Sequence, residues 1–316
     1  MIVNALYAER VAMFKYRYFI FMLMGMQNLV ASQDKPKTIF CISLPRHRST
    51  AFLRMMQERN DYVVMHEPGW CAYLNTYTPD VSEAREGRLN PAIPQTFEEV
   101  KKVINDERKQ QNLFIKEMHF AATKYIDQEM VKNPDIHFVF LIRNPHHVYI
   151  SFAKHIESNT GSDVFELFKQ DILSYRALYQ FYNYIKKERP NVPFVLDTDE
   201  LLLNPKKQIH AFCDYIGISF KEESMEWSNQ VDQFCTTKEW EVSPLCSFSE
   251  KWNMDAVKST GFSAKQYVYA VDEQGEPTFE EIENVEHRAF YKALYEENMP
   301  YYKLFLDEYL LQQQNI

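Results

Sequence analysis

The run Ile136-His137-Phe138-Val139-Phe140-Leu141-Ile142 constrains this chain more than any other stretch. Six of its seven residues are apolar, and three of those are β-branched. That length and composition suit a strand buried on both faces, which occurs where helices cover both sides of a mainly parallel sheet. Runs of the same kind lie at 38–42, 62–65, 112–118 and 192–196. Helical patterns lie between them, at 51–59, 122–132 and 146–154, and a last one is framed by Asn204, Pro205 and Gly217. Alternation of this sort predicts one α/β domain with a central, mostly parallel sheet flanked by helices. In such a fold ligands gather where the strands end and the helices begin.

Two of those junctions carry unusual charge. The first is Leu44-Pro45-Arg46-His47-Arg48, which leaves the apolar run 38–42 and meets a helical pattern opening at Ser49-Thr50. A strand feeding a helix through a cationic loop can hold an anion. The first-turn N–H groups lack internal acceptors, and the helix dipole adds positive potential there. Ser49 and Thr50 add hydroxyl donors, and Arg46 and Arg48 add charge-assisted bonds to phosphate oxygens. The plainer reading is a strand–turn–helix with solvated arginines. The loop is not a Walker A sequence, because 37–56 contain no glycine and no lysine precedes Ser49.

The second junction is Arg143-Asn144-Pro145 at the end of the 136–142 strand, followed by Ser151. Pro145 can start a helix, which places Ser151 about two turns along it. A phosphate monoester suits a planar, permanently charged guanidinium beside a neutral hydroxyl donor. Alone, Arg143 could equally cap a structural carboxylate, and Ser151 could be an ordinary helix serine.

Together, in this order, the two junctions resemble the PAPS-dependent sulfotransferases. That family grips the 5′-phosphosulfate of PAPS with Pro-[Lys/Arg]-x-Gly-[Ser/Thr]-[Ser/Thr], and its 3′-phosphate with Arg-x-Pro-x-x-x-x-x-Ser. Pro45, Arg46, Ser49 and Thr50 fill the first pattern, while Arg143, Pro145 and Ser151 fill the second. Arg48 stands where the usual glycine would be; a divergent bacterial and plant-type branch writes Pro-Arg-x-Arg-Ser-Thr-Ala. The likeness continues through His66-Glu67-Pro68, 195–205 and Lys258-Ser259-Thr260-Gly261-Phe262, and so spans about 37–262. It implies a P-loop-like three-layer fold and PAPS as co-substrate, without a metal. The implied cofactor contacts are Arg46, His47, Arg48, Ser49, Thr50, Arg143, Ser151 and Lys258.

For the chemistry, Arg46 and Arg48, with the N–H groups near Ser49 and Thr50, would supply positive charge at the 5′-phosphosulfate, and Lys116 would stabilise the leaving group or transferring sulfonate. An alcohol acceptor also needs a base. Glu67 ranks first, because other sulfotransferases use a glutamate after the first helix; His119 and His66 follow. The familiar Lys-x-His at this strand end is here Lys116-Glu117-Met118-His119, with the histidine one residue late. Each of the three also has an ordinary structural reading, as a cap, a buried histidine or a surface pair. The acceptor class stays open among small molecules, glycans and lipids. Two rivals remain: a P-loop kinase or nucleotide hydrolase, and a degenerate sulfotransferase-like domain that binds without turnover.

Composition sets outer limits. With 316 residues and 46% apolar content the chain can bury a full core. A net charge of −9 argues against general nucleic-acid binding. Only 7 glycines are present, so side chains must share any phosphate contacts, and the 5 cysteines form no metal or disulfide framework. A reducing, cytoplasmic setting is the simplest expectation. Residues 1–35 form a separate segment: 18–26 are apolar behind Lys15 and Arg17, but Gln27 and Asn28 cut the run short of a bilayer. An amphipathic or packed helix is expected there over a cleaved signal, with peripheral membrane contact through 13–31 as a further reading.

The remaining expectations are local. Residues 69–95 should be a long loop or lid lining the acceptor pocket, with Trp70, Tyr73 and Tyr77 as candidates. Thr96 and Glu99 make a capping box. Residues 163–188 should be one long amphipathic helix whose aromatics pack in the core. Pro190 and Pro193 should keep the last strand short or at an edge. The domain itself should run over 36–270, with an acidic helical extension over 271–316 packed on it.

Overall fold

Five short strands, β1 (Thr38–Ser43), β2 (Val63–His66), β3 (Leu113–Met118), β4 (Ile136–Ile142) and β5 (Phe194–Asp197), pair in the order β2-β3-β1-β4-β5. Every pairing is parallel. The structure is a computed structural model and describes residues 35–77, 94–159, 172–228, 256, 258–262 and 269–314. The chain divides into two compact units after Pro36, and the second, Lys37–Ile316, holds the sheet.

Side-chain alternation along each strand makes two cores. Phe40, Ile42, Ile115, Phe138 and Phe140 face one layer, while Ile39, Cys41, Phe114, Val139 and Leu141 face the other. The second layer is closed by α1 (Ser49–Glu58), α8 (Thr198–Leu203) and α9 (Pro205–Ile216) through Phe52, Leu53, Leu201, Ile209 and Phe212. The first is closed by the remaining helices. These are α2 (Trp70–Tyr77), α3 (Phe97–Glu107), α4 (His119–Tyr125), α5 (Gln128–Lys132), α6 (Pro145–Asn159), α7 (Tyr175–Glu188) and α10 (Val285–Gln313). The result is the expected three-layer α/β fold. The chain leaves β1 toward β2, returns through β3, and crosses to β4 on the other side of β1. The ends of β1 and β4 therefore sit side by side where the winding reverses, the position that favours a ligand crevice.

Local signals act as their chemistry dictates. Thr96 Oγ1 accepts from the Glu99 N–H, and the Glu99 carboxylate accepts from the Thr96 N–H, closing the capping box at α3. Gly217 ends α9 with φ 70°, a left-handed position suited to glycine. Asn204, however, gives α9 no side-chain cap, because the same residue also ends α8, a helix the pattern did not foretell.

Three expectations need correction. Residues 70–77 are helical, so the long loop over 69–95 does not begin where expected; 78–93 lie outside the described residues. The helix over 122–132 is two helices, because Asp127 breaks the first and caps the second by accepting from Met130 N. Within 163–188 the described helix begins only at Tyr175, where Ser174 accepts from Ala177 N; 163–171, with Phe165 and Phe168, fall outside the described residues. Tyr175 and Tyr182 are core residues as the stripe required.

The expected N-terminal segment lies outside the described residues, apart from Lys35. Among the described residues no helix is long and apolar enough to cross a membrane. Toward the C-terminus, α10 closes the edge strand. Gln312 Oε1 accepts from Val195 N at 2.9 Å, and Gln312 Nε2 donates to the Pro193 carbonyl at 2.8 Å. One amide side chain thus mimics a sixth strand on β5. Tyr302 donates to Asp197 Oδ2 at 3.0 Å beside it. Gln312→Ala should lower stability by about 1–2 kcal/mol, read as a lower urea midpoint with unchanged m-value. An unchanged midpoint would mean that the edge needs no such partner.

Candidate active site

The loop after β1 is built from strained backbone. Arg46 and Arg48 adopt φ 67° and 56°, in the left-handed region that costs an L-residue about 1–2 kcal/mol. Arg48, at the family's glycine position, therefore takes a glycine-like conformation and still caps α1, its carbonyl accepting from Ala51 N at 3.1 Å. Its side chain is held in turn. Arg48 Nη1 donates to the Thr198 carbonyl at 3.0 Å and to Asp199 Oδ1 at 2.5 Å. Ser49 and Thr50 open α1 as buried first-turn residues, and that turn carries no acidic side chain.

The two charged junctions meet directly. Arg143 Nη1 donates to the Arg46 carbonyl at 3.0 Å, and Arg46 Nε donates to Ser151 Oγ at 3.0 Å. Side chains 105 residues apart in sequence are thereby clamped over the ends of β1 and β4. Arg143 also donates through Nη2 to Tyr269 Oη at 3.0 Å. Tyr269 stacks flat on His147, with centroids 3.9 Å apart. Asp199 joins the cluster: its Oδ2 accepts from Asn144 N at 3.2 Å and contacts His147 Nδ1 at 2.9 Å. Burial alone would raise the Asp199 pKa, but the His147 bond and the guanidiniums of Arg48 and Arg143 hold it well below the usual range. Sequence reasoning missed Asp199, His147 and Tyr269; the acidic start of α8 was the one available signal.

His47 departs from the role its place in the basic loop suggested, and this is a correction. Its ring is wholly buried, with Nδ1 2.7 Å from the Leu141 carbonyl and Nε2 2.8 Å from Tyr175 Oη. Burial holds it neutral, with its pKa pushed down to about 3. Both nitrogens serve the fold, so His47 anchors the loop to β4 and α7 and leaves no ring nitrogen for a cofactor.

A second polar centre sits at the ends of β2 and β3. Lys116 donates to Glu67 Oε1, and His66 Nε2 lies 3.3 Å from the same oxygen. Glu67 has φ 50° and is fixed by its N–H donating to the Lys116 carbonyl at 2.7 Å. Burial favours its neutral form, but Lys116 and His66 reverse this and hold the carboxylate ionised. The neighbouring Glu117 points the other way and braces the same turn. Its carboxylate accepts from Gly69 N at 2.8 Å, Met118 N at 2.9 Å and Tyr125 Oη at 3.0 Å. A Cβ at Gly69 would sit 2.9 Å from Glu117 Oε2, so the turn has no room for a larger residue.

The other candidates are placed as follows. His119 is buried at the start of α4, edge-on to Phe120 with centroids 5.6 Å apart, and is close enough to His47 to depress its pKa slightly. Lys258 is exposed on the short segment 258–262, which docks on Trp227 through Trp227 Nε1 donating to Ser259 Oγ at 3.1 Å. Trp70, Tyr73 and Tyr77 line one side of α2, and Tyr73 packs on Phe120 with centroids 4.6 Å apart. Among the described residues no group of three histidines, cysteines or carboxylates is placed to hold a metal.

Burial, then Glu67, push the Glu117 pKa up to about 7 against a reference of 4.5. Its ionisation therefore opposes folding: stability is full below pH 4.5 and falls as the pH rises toward 7. Glu117→Gln should flatten that slope, a difference of about 3 kcal/mol at most across the window, in urea midpoints taken from about pH 4.5 to 7.5. Parallel wild-type and variant profiles would refute the buried-charge account.

A family model described as "Sulfotransferase domain" matches residues 37–270. Two proteins of Arabidopsis thaliana, branched-chain-amino-acid aminotransferase-like proteins 2 and 1, are each 26% identical over 73% and 74% of this chain. The chain spans only 37% and 38% of their lengths. Mouse sulfotransferase SULT7A1 complexed with PAP aligns over 86% of this chain and 88% of its own, at 11% identity and a TM-score of 0.46. The family match covers well over half the chain, including both charged junctions, the Glu67–Lys116 pair and all five strands: this chain belongs to the sulfotransferase domain family.

Proposed function

We propose that this chain transfers a sulfonate group from PAPS to a hydroxyl or amine of an acceptor by in-line displacement. One observation carries the proposal. Arg46, Arg143 and Ser151, the residues that match the family's two phosphate motifs, converge within hydrogen-bond distance at the reversal point of the sheet. Arg143 Nε supports the fit, since it is buried and has no hydrogen-bond partner among the described residues. A phosphate oxygen is the natural acceptor for it.

When bound, PAPS supplies the sulfonate on a good phosphate leaving group. The N–H groups opening α1, with Ser49, Thr50 and Arg46, hold the 5′-phosphosulfate against the helix dipole. Arg143 and Ser151 take the 3′-phosphate. Arg48 shares the Asp199 carboxylate with Arg143, so we assign it to the 3′ side and not to the 5′ cradle. Lys258 is kept as a proposed 3′ contact on resemblance alone. Lys116 neutralises charge that builds on the departing oxygen. Its ion pair with Glu67 makes that carboxylate a weak base at rest; as Lys116 turns to the leaving oxygen, Glu67 is released to accept the acceptor's proton. His119 and His66 remain alternates for the base.

Transfer of ³⁵S from labelled PAPS to fractionated acceptors, with PAP titration in EDTA, tests the reading. Arg143→Ala should weaken PAP binding at least about tenfold. Glu67→Gln should bind PAP normally and lose about 10²–10⁴ in kcat. PAP binding without any transfer would favour the non-catalytic scaffold, and Mg-ATP binding in place of PAP would favour a kinase.

A further inference from the structure

The cluster at the β4–α6 junction is already an occupied anion site, and the anion belongs to the chain. Each oxygen of Asp199 is held as a phosphate oxygen would be. Oδ1 takes Arg48 Nη1 at 2.5 Å and lies 3.5 Å from Arg143 Nε. Oδ2 takes the Asn144 N–H at 3.2 Å, at the mouth of α6, and His147 Nδ1 at 2.9 Å. A residue that only positioned the arginines could do so from their flanks. This one sits between the two guanidiniums and covers the helix N-terminus, which is the place a phosphate dianion would need. Its hold on Arg143 is also poor: 3.5 Å is too long for a good hydrogen bond, so the buried Nε stays unsatisfied.

We propose that Asp199 is an internal counter-anion of this site: it holds Arg48 and Arg143 in place when no nucleotide is bound, and the 3′-phosphate displaces it. This rests on the reading of Arg143 as a 3′-phosphate ligand. The physical logic is charge balance. Two guanidiniums brought to one partly buried carboxylate repel, and the shared charge offsets that repulsion. A bound dianion has the same effect with a better fit, but a carboxylate left beside it would repel it. Displacement asks only that the Asp199 side chain turn away, because its backbone is pinned by the Asp197 cap, whose Oδ1 accepts from Asp199 N at 2.7 Å and Glu200 N at 3.3 Å. The device sets a threshold on donor affinity: singly charged anions gain too little to evict the carboxylate, whereas a phosphate monoester does. Asp199 is in this sense a specificity-determining residue for the 3′-phosphate.

The test is calorimetric titration of wild type and Asp199→Asn with PAP and with 5′-AMP, which lacks the 3′-phosphate, in EDTA at fixed ionic strength. Loss of a merely structural residue weakens binding. The counter-anion account expects the opposite: removing the charge in D199N tightens PAP about tenfold and moves AMP less than about twofold. Weaker or unchanged PAP binding, or equal tightening of PAP and AMP, overturns it. Asp199→Ser is the second variant if D199N does not fold. A crystal structure of wild type with PAP decides independently, since Asp199 must have left Arg48 and the Asn144 N–H. A carboxylate still in place there overturns the proposal. If PAP binds neither wild type nor variant, the PAPS reading itself fails, an outcome distinct from these.

Discussion

A buried guanidinium ties the loop after β1 to the end of β4. Arg143 follows the last residue of β4, reaches across to the carbonyl of Arg46 and meets the hydroxyl of Tyr269. A buried arginine is costly unless its donors are matched, and the matching groups come from separate parts of the chain. Fixing Arg143 therefore fixes the loop after β1, the start of α6 and the segment at Tyr269 relative to each other. The strained backbone at Arg46 and Arg48 persists because those partners over-determine it.

The same over-determination explains why strain collects where it does. Among the described residues, non-glycine positive φ occurs at Arg46, Arg48, Asn60, Glu67 and Phe279. Arg46, Arg48 and Glu67 belong to the loops that carry the charged side chains. Asn60 and Phe279 are the two described exceptions outside those loops. Glu67 in particular is aimed by an unfavourable φ, a backbone bond to Lys116 and the Glu117 brace on the Pro68-Gly69 turn. Such redundancy suits a group whose position matters more than its contribution to stability.

How much of this was legible in the sequence depended on whether the signal was local. The strand 136–142 was read to the residue because only His137 breaks its apolar run, and the Thr96–Glu99 box announced α3 because capping is local chemistry. Pro190 and Pro193 marked β5 as an edge strand because each removes an N–H donor. Breaks inside helical periodicity were missed: Asp127 and Ser174 look like polar residues on an exposed face until they are seen to cap. The two charged junctions stood out in the sequence, but their mutual contact did not. His47 sits in the basic loop and reads as a ligand, yet the fold turns it inward between Leu141 and Tyr175. Asp199 was invisible for the converse reason, since nothing about an acidic helix start says that it will neutralise two arginines from much earlier in the chain.

The central claim is that the adjoining ends of β1 and β4 form one nucleotide site with two anion-binding poles. The most direct measurement is a crystal structure of the protein with PAP. The account predicts the 5′-phosphate at the N-terminus of α1 beside Arg46 and Ser49, and the 3′-phosphate within hydrogen-bond distance of Arg143. PAP bound at another face of the sheet, or with its 3′-phosphate in solvent and Arg143 untouched, would contradict it.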